Sequence, residues 1–138
     1  MQPSRSEEGR QPGHQAHVLL VDDDALMRTL ARTLLEKSGF NVSEAVDGAQ
    51  ALRCLDAGDV YDVVVLDLYM PEVGGDEVLR YVRSNTKTAD LPVIILTGSE
   101  GGEMEAILLD QGADDYIRKP IDPQGFISSV RGVLDRDS

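Results

Sequence analysis

Acidic side chains follow two apolar runs of this sequence. Asp22, Asp23 and Asp24 come directly after the run 18–21, and Asp67 ends the run 63–66. Carboxylates held close together repel one another, and each raises the free energy of keeping its neighbours ionised unless a cation or a proton lies among them. Hard cations prefer oxygen ligands of this kind. If the two runs are strands that end at one edge of a sheet, the sequence predicts a Mg2+ site there.

The length and charge of the chain limit the class of protein. Its 138 residues fit one folded domain that is long enough to bury a core. The formal net charge of -12 makes the chain by itself a poor ligand for nucleic acid or anionic lipid. No apolar stretch approaches the roughly 20 residues that span a bilayer, and the N-terminus lacks the pattern of a secretory signal. We therefore expect a cytoplasmic protein with no direct contact to nucleic acid or membrane.

The apolar residues alternate between short runs and helical spacing. The short runs predict five strands, at 17–22, 40–46, 61–67, 91–97 and 115–118. Helical spacing predicts five helices, at 25–38, after the turn at 47–48, and at 75–84, 103–109 and 126–134. This alternation predicts a single α/β domain, a (βα)5 unit whose doubly wound, five-stranded parallel sheet carries helices on both faces.

The sequence pattern also predicts which helix side chains form an apolar face, which are exposed, and how three isolated acids are used. On the first predicted helix, one apolar face is expected to carry Leu26, Leu30, Leu34 and Leu35. On the third, Arg83 is expected to be exposed. We interpret as solvated charges or turn residues the acids Asp62, Asp114 and Asp115.

The two ends of the chain are unlike its middle. Residues 1–16 combine Pro, Gly, Gln, Ser and charges without a branched apolar residue, so they cannot bury enough surface to offset the entropy of ordering. We expect a flexible N-terminal tail at 1–16, a folded domain at 17–135 and a short C-terminal end at 136–138.

The polar residues of the folded domain collect at the ends of predicted strands. Ligands of doubly wound sheets bind outside the carboxyl ends of the strands. The first strand ends at Asp22 and Asp23, the third at Asp67, the fourth at Thr97, and the fifth leads into Lys119. Asp24 is predicted to cap the helix that follows, and one cap needs one residue, so capping leaves the other two acids unexplained.

At this point the sequence resembles the receiver domains of two-component response regulators. The strings LLVDDD, VVVLDLYMP, VIILTG and DDYIRKP stand in the order and at the spacing of that family. The resemblance covers about residues 17–135 and implies the flavodoxin-like receiver fold. It also implies a signalling domain in a phosphorelay, whose only catalysis is its own phosphorylation and dephosphorylation.

The resemblance implies a role for each matching residue. Asp67 matches the phosphoacceptor, a carboxylate nucleophile that becomes an acyl phosphate. Asp22 and Asp23 match the acids that hold Mg2+, or Mn2+ in its place, together with Asp67 and the backbone carbonyl of Tyr69. Asp23 is expected to bind the ion directly and Asp22 partly through water.

Three further residues match the machinery that senses the phosphoryl group. Lys119 matches the lysine that pairs with the acceptor before reaction and with the phosphoryl group afterwards, and the family usually holds the bond to Pro120 cis. Thr97 matches the switch hydroxyl, and Tyr116 matches the aromatic side chain that moves with it. The implied partners are a sensor histidine kinase or histidine phosphotransfer protein, and an output protein or domain that contacts the fourth helix, fifth strand and fifth helix.

Other readings predict different residues. A haloacid-dehalogenase-type hydrolase also forms an aspartyl phosphate, but it needs a second Asp where Tyr69 stands. A dinucleotide-binding domain would carry G-x-G-x-x-G after the first strand, and none follows it. A phosphorylation-independent binding module stays open as the alternative function, although all the matching acids and the lysine are present. Whether the chain is a stand-alone regulator or a receiver from a longer protein also stays open.

Overall fold

A computed structural model describes residues 15–98 and 102–136. Within these ranges strands and helices alternate in the order β1 (His17–Val21), α1 (Ala25–Lys37), β2 (Asn41–Ala45), α2 (Gly48–Asp56), β3 (Val63–Asp67), α3 (Gly75–Ser84), β4 (Val93–Thr97), α4 (Gly102–Asp110), β5 (Asp115–Arg118) and α5 (Pro123–Arg136). The five strands form one parallel sheet in the order β2-β1-β3-β4-β5. The predicted α/β fold, of the flavodoxin-like type, is confirmed.

Two apolar layers cover the sheet because successive side chains of a strand point to opposite faces. On one face Leu19, Val64 and Ile95 pack under α2, α3 and α4. On the other face Leu20 and Val65 pack under α1 and α5, where Phe126 is fully buried. Strands β3 and β4 are buried along their whole length, which explains their unbroken apolar sequence.

The last helix begins three residues earlier than the sequence pattern predicts. Its first residue is Pro123, whose missing N–H costs nothing at that position. Asp122 precedes it, and its side chain accepts a hydrogen bond of 2.8 Å from the backbone N–H of Gly125. An Asp-Pro pair is a helix start signal, and apolar spacing alone did not include it.

The apolar face assigned to α1 is partly wrong. Ala31 and Leu35 are buried, but Leu26 is 82% exposed and Leu30 is 46% exposed. Each residue rotates a helix by about 100°, so positions 26 and 30 lie beside the stripe that contacts the sheet. That stripe contains Met27, Ala31 and Leu35.

The prediction that Arg83 is exposed is wrong. Its guanidinium donates to the backbone carbonyls of Gly112, Ala89 and Leu91, at distances between 2.6 and 3.1 Å. It also pairs at 2.8 Å with Asp114, whose carboxylate accepts a second hydrogen bond from Val93 N. Arg83 therefore joins α3 to the start of β4 and to the turn before β5.

The isolated acids are bonded rather than merely solvated. Asp62 accepts a hydrogen bond of 2.7 Å from the backbone N–H of His17. Asp115 accepts one from its neighbour Tyr116 N and another from the hydroxyl of Ser129 on α5. Together with Asp114, these carboxylates tie strand ends to neighbouring elements.

Most of the predicted tail, residues 1–14, lies outside the described residues, as do 137–138. Ala16, placed in the tail by composition, is buried, and its carbonyl accepts a hydrogen bond of 2.9 Å from Asn41 N. Ala16 therefore packs with the folded part. Among the described helices, none has the length and apolar character needed to cross a bilayer.

Candidate functional site

The carboxyl ends of β1, β3, β4 and β5 bring the predicted site residues to one edge of the sheet. Asp22 follows the last residue of β1, Asp67 and Thr97 end β3 and β4, and Lys119 follows β5. The chain places β2 on one side of β1 and β3 on the other, so the strand order reverses at β1 and β3. The site lies at this reversal, as expected for a doubly wound sheet.

Three carboxylates converge there. Asp22, Asp23 and Asp67 each offer an oxygen, and these oxygens lie within 4.8 Å of one another. Asp22 is fully buried and Asp67 is 5% exposed, whereas Asp23 is exposed to solvent. Asp24 caps α1 as predicted, because its side chain accepts a hydrogen bond of 3.0 Å from Leu26 N.

Lys119 lies between the two buried acids. Its Nζ is 2.9 Å from Oδ2 of Asp22 and 3.3 Å from Oδ1 of Asp67. The resemblance predicts a pair with Asp67, and the closer partner is Asp22. The backbone N–H of Lys119 donates to Thr97 O at 2.8 Å, which anchors the lysine to β4. The bond between Lys119 and Pro120 is cis, as the resemblance implies.

The electrostatics of the site act mainly on Asp67. The pKa of Asp67 is raised to about 6 by burial and by the neighbouring Asp22, and the Lys119 ammonium opposes both effects. Burial alone would lower the pKa of Lys119, but the carboxylates of Asp22 and Asp67 outweigh burial and raise it. The ammonium therefore stays protonated and partly compensates the two buried acids.

The donor set fits a hard divalent cation. All ligand atoms are carboxylate oxygens, the class that Mg2+ prefers. Oδ2 of Asp22 is buried, and its ion pair with Lys119 does not have the geometry of a hydrogen bond, so it has no hydrogen-bond donor among the described residues. An additional cation would satisfy that oxygen. The cluster is therefore able to hold a metal ion.

The loop after β3 packs tightly against the end of the strand. Glu72 has a φ of 67°, and Val73 N donates to Pro71 O at 2.8 Å, which is a γ-turn. A Cβ on Gly75 would lie 2.4 Å from the backbone oxygen of Asp67, so no larger residue fits there without moving the acid. Tyr69, in the same loop, is 58% exposed beside the site.

Thr97 and Tyr116 lie on neighbouring strands. Thr97 is fully buried at the end of β4, and Asp67 pairs with the residue before it in the sheet register. Tyr116 pairs with Ile95, and its side chain packs against the core under α4. Its hydroxyl is buried and has no hydrogen-bond partner among the described residues.

One residue near the site was missed by sequence reasoning. Arg28, on α1, donates from Nη1 to the backbone carbonyl of Asp22 at 2.8 Å, and its Nε lies 3.2 Å from Glu44 on β2. A signal was present in the sequence. The dipole of a helix disfavours cations near its start, so an arginine at the fourth position of α1 needs partners.

The sequence is similar to that of response regulators. The family described as response regulator receiver domain matches residues 18–131. The transcriptional regulatory protein CpxR of Escherichia coli (strain K12) is 42% identical over 120 residues, which cover 86% of this chain and 49% of CpxR. The DNA-binding dual master transcriptional regulator RpaA of Synechocystis sp. is 36% identical over 119 residues, which cover 86% of this chain and 49% of RpaA. The chain thus spans about half the length of these curated relatives.

Solved structures show the same likeness. The Francisella response regulator 1452 receiver domain has a TM-score of 0.82 and 31% identity, with 90% of this chain and 100% of that chain covered. The Vibrio cholerae chemotaxis protein CheY4 has a TM-score of 0.81 and 28% identity, with 86% of this chain and 98% of CheY4 covered. This chain belongs to the response regulator receiver family of two-component signalling.

Proposed function

We propose that this receiver takes a phosphoryl group onto Asp67 and that the acyl phosphate switches its binding surface. The observation that carries the proposal is the grouping of three carboxylates within 4.8 Å around a nearly buried acid. This group keeps a buried carboxylate, a lysine and two further acids together, and titratable groups that perturb one another in this way are candidates for a functional site. Its enzyme-like chemistry acts only on the protein itself.

The reaction is a transfer from phosphohistidine to carboxylate. An oxygen of ionised Asp67 attacks the phosphorus, and a P–O bond forms while the P–N bond of the donor breaks. The imidazole nitrogen leaves with the bonding electrons and takes a proton. Asp67 must be ionised to attack, so its raised pKa makes uptake depend on the charges around it.

The acids of the site would hold Mg2+, with Mn2+ as a substitute. The ligands would be Asp22, Asp23, Asp67 and the backbone carbonyl of Tyr69. When bound, the ion neutralises the charge of the phosphoryl oxygens and relieves repulsion among the acids. Lys119 lies where its ammonium can move from Asp67 to a phosphoryl oxygen, because it already contacts both buried acids.

Thr97 and Tyr116 would change conformation in response to the phosphoryl group. Phosphorylation replaces the single charge of ionised Asp67 by a phosphoryl group that carries roughly 1.5 to 2 negative charges and three acceptor oxygens. Thr97, at the end of the next strand, would donate its hydroxyl to the phosphoryl group, and Tyr116 would move with it. The output surface, which we define as α4, β5 and α5, would change accordingly. Ile107 and Leu109 already expose large apolar side chains on α4.

A change of Tyr116 tests whether its hydroxyl lacks a partner in the unphosphorylated protein. We expect Tyr116→Phe to stabilise the unphosphorylated protein by about 1 kcal/mol, because it removes a buried hydroxyl that has no partner among the described residues. The measurement is urea unfolding at pH 7. The matched control is Tyr81→Phe, which should not stabilise, because the Tyr81 hydroxyl contacts Asp56 at 3.3 Å and Asn85 at 3.2 Å. Equal stability of Tyr116→Phe and wild type would contradict this account.

The proposed receiver has two kinds of partner, one that donates the phosphoryl group and one that responds to it. A sensor histidine kinase or histidine phosphotransfer protein would supply the phosphoryl group, and an output protein or domain would bind the output surface. CpxR and RpaA are named as transcriptional regulators. By analogy, we propose that a separate domain or partner carries any contact to DNA, since the chain itself has a net charge of -12. The predicted domain limits of 17 and 135 would each widen by about one residue, because Ala16 is buried and α5 ends at Arg136.

The test of the proposed function is intact mass after incubation with acetyl phosphate. We expect the wild-type chain to gain one phosphoryl mass in the presence of Mg2+ and none in the presence of EDTA. Loss of the added mass on mild base treatment would identify an acyl phosphate. A folded, Mg2+-bound protein that never gains mass would favour the phosphorylation-independent binding module.

A further inference from the structure

The guanidinium of Arg28 connects three elements at the edge of the site. Nη1 donates to the backbone carbonyl of Asp22 at 2.8 Å, just beyond the end of β1. Nε lies 3.2 Å from Oε1 of Glu44, on the neighbouring strand β2. The side chains of Arg28 and Glu44 are 16% and 27% exposed, so both are largely shielded from solvent. Because solvent screens it less, the ion pair between Arg28 and Glu44 is stronger than a pair on the open surface.

The hydrogen bond from Arg28 contacts the backbone at the point where the chain leaves β1. The backbone N–H of Asp22 still donates to Ala45 O, but at 3.3 Å, which is long for the end of a ladder. The carbonyl of Asp22 and the N–H of Asp23 belong to one planar peptide unit. By holding the carbonyl, Arg28 therefore sets the direction in which the chain enters Asp23.

Asp23 differs from the other two acids in how its carboxylate is restrained. Oδ1 of Asp22 accepts a hydrogen bond of 2.9 Å from Asp24 N, and Oδ2 is paired with Lys119. Asp67 is held by Lys119 and by burial. The carboxylate of Asp23 is exposed and accepts no hydrogen bond within 15–98 and 102–136. Its position near the other acids therefore depends on its backbone.

We propose that Arg28, itself held by Glu44, is a positioning residue that places Asp23 for binding of the divalent cation. This inference rests on the proposed function in one respect, namely that the acid cluster binds Mg2+. Arg28 does not touch the reacting atoms. Its effect passes through the peptide between Asp22 and Asp23.

Charge alone predicts the opposite effect. Arg28 is a cation near a cation site, so its removal would by itself reduce repulsion and strengthen Mg2+ binding. Loss of positioning would weaken binding, and changes in groups that orient metal ligands commonly cost 10- to 100-fold in affinity. The direction of the change in affinity therefore separates positioning from electrostatics.

The experiment is calorimetric titration of the full chain with Mg2+, comparing Arg28→Ala with Arg32→Ala. Arg32 is a matched control because it lies one turn further along α1, contacts the same Glu44 at 2.5 Å, and carries the same charge. No hydrogen bond joins it to Asp22 in the described residues. We expect Arg28→Ala to raise the Kd about tenfold, and Arg32→Ala to leave it unchanged or slightly lower.

Two further variants keep the test decisive if Arg28→Ala unfolds, which thermal unfolding in EDTA would reveal. Arg28→Lys keeps the charge but lacks the rigid guanidinium fork that holds Asp22 O and Glu44 in one geometry, and we expect a Kd about threefold higher. Glu44→Gln should raise the Kd less than Arg28→Ala does. For all these variants, saturating Mg2+ should restore the wild-type rate of phosphorylation by acetyl phosphate, because positioning changes affinity rather than the reaction.

The outcomes distinguish this inference from the function on which it rests. Wild-type protein that binds no Mg2+ would overturn both. Wild-type protein that binds Mg2+, with equal Kd values for Arg28→Ala and Arg32→Ala, would overturn the positioning role alone. If Arg28→Ala does not fold, an unchanged Kd for Arg28→Lys would have the same meaning.

Discussion

Asp67→Asn is expected to abolish phosphoryl uptake completely. The amide lacks the negative charge and the nucleophilic oxygen that attack phosphorus, and no other acid of the cluster ends β3. Incubation with acetyl phosphate and Mg2+ should add one phosphoryl mass to the wild type and none to the variant. A mass gain in Asp67→Asn equal to that of the wild type would show that another residue accepts the group.

The same substitution should stabilise the metal-free fold near neutral pH. The folded protein holds the proton of Asp67 more tightly than the unfolded chain does, because burial and the neighbouring Asp22 raise its pKa from 3.8 to about 6. Protonation of Asp67 therefore favours folding, and the stability it contributes is present below pH 4 and is lost as the pH rises through about 6. Above that pH the wild type carries a poorly compensated buried charge, which Asn removes.

The size of the effect follows from the pKa. One pKa unit corresponds to about 1.4 kcal/mol, so we expect Asp67→Asn to gain about 1 to 3 kcal/mol at pH 7.5 in EDTA. The gain should shrink between pH 6 and 4 and vanish below pH 4. Urea unfolding across this pH range measures it.

The matched control is Asp90→Asn, since Asp90 is an exposed acid in the turn before β4. It should leave phosphoryl uptake unchanged. Parallel stability curves for wild type and Asp67→Asn would contradict the account of Asp67 as a destabilised carboxylate.

Arg83→Ala should be strongly destabilising. Its guanidinium bonds the carbonyls of Gly112, Ala89 and Leu91, together with Asp114. Removal would leave these acceptors without their donor in a partly buried place, and hydrogen bonds to charged groups are worth about 1.5 to 3 kcal/mol each. Solvent will replace some of them because the side chain is 21% exposed, so we expect a loss of about 3 kcal/mol.

The measurement is the midpoint of urea unfolding, which should fall while the slope stays constant. Arg80→Ala is the matched control. Arg80 lies on the same helix and contacts Asp76 at 3.5 Å on the open surface, where such pairs contribute about 0.3 to 0.5 kcal/mol. Arg83→Lys should fall between the two, because one ammonium cannot bond three carbonyls and a carboxylate. Equal midpoints for Arg83→Ala and Arg80→Ala would contradict the role assigned to Arg83.

Local spacing was enough to predict the elements. An apolar run of four or five residues indicates a buried strand, and spacing of three or four residues indicates a helix, so β1 and α3 lie where the pattern places them. The parallel sheet follows from their alternation. The residues of the site could be named in advance because Asp22, Asp67 and Thr97 stand at strand ends, and the ends of parallel strands meet.

Long-range partners could not be predicted in the same way. Arg83 has the spacing of an exposed helical residue, yet its partners Gly112 and Asp114 lie 29 and 31 positions further along the chain. Lys119 was matched to Asp67, and the structure shows Asp22 to be its closer partner, at 2.9 Å against 3.3 Å. Spacing along the chain contains no information about such distances.

By itself, the sequence determined the order of strands and helices, the strand ends that carry acids, and the family. These depend on short-range periodicity and on which residue types end each strand. Only the tertiary structure decided which side of α1 is buried, which carbonyls Arg28 and Arg83 hold, and how far burial raises the pKa of Asp67. Those properties depend on the packing of segments that are distant in the chain, because desolvation and hydrogen-bond geometry arise only when the segments meet.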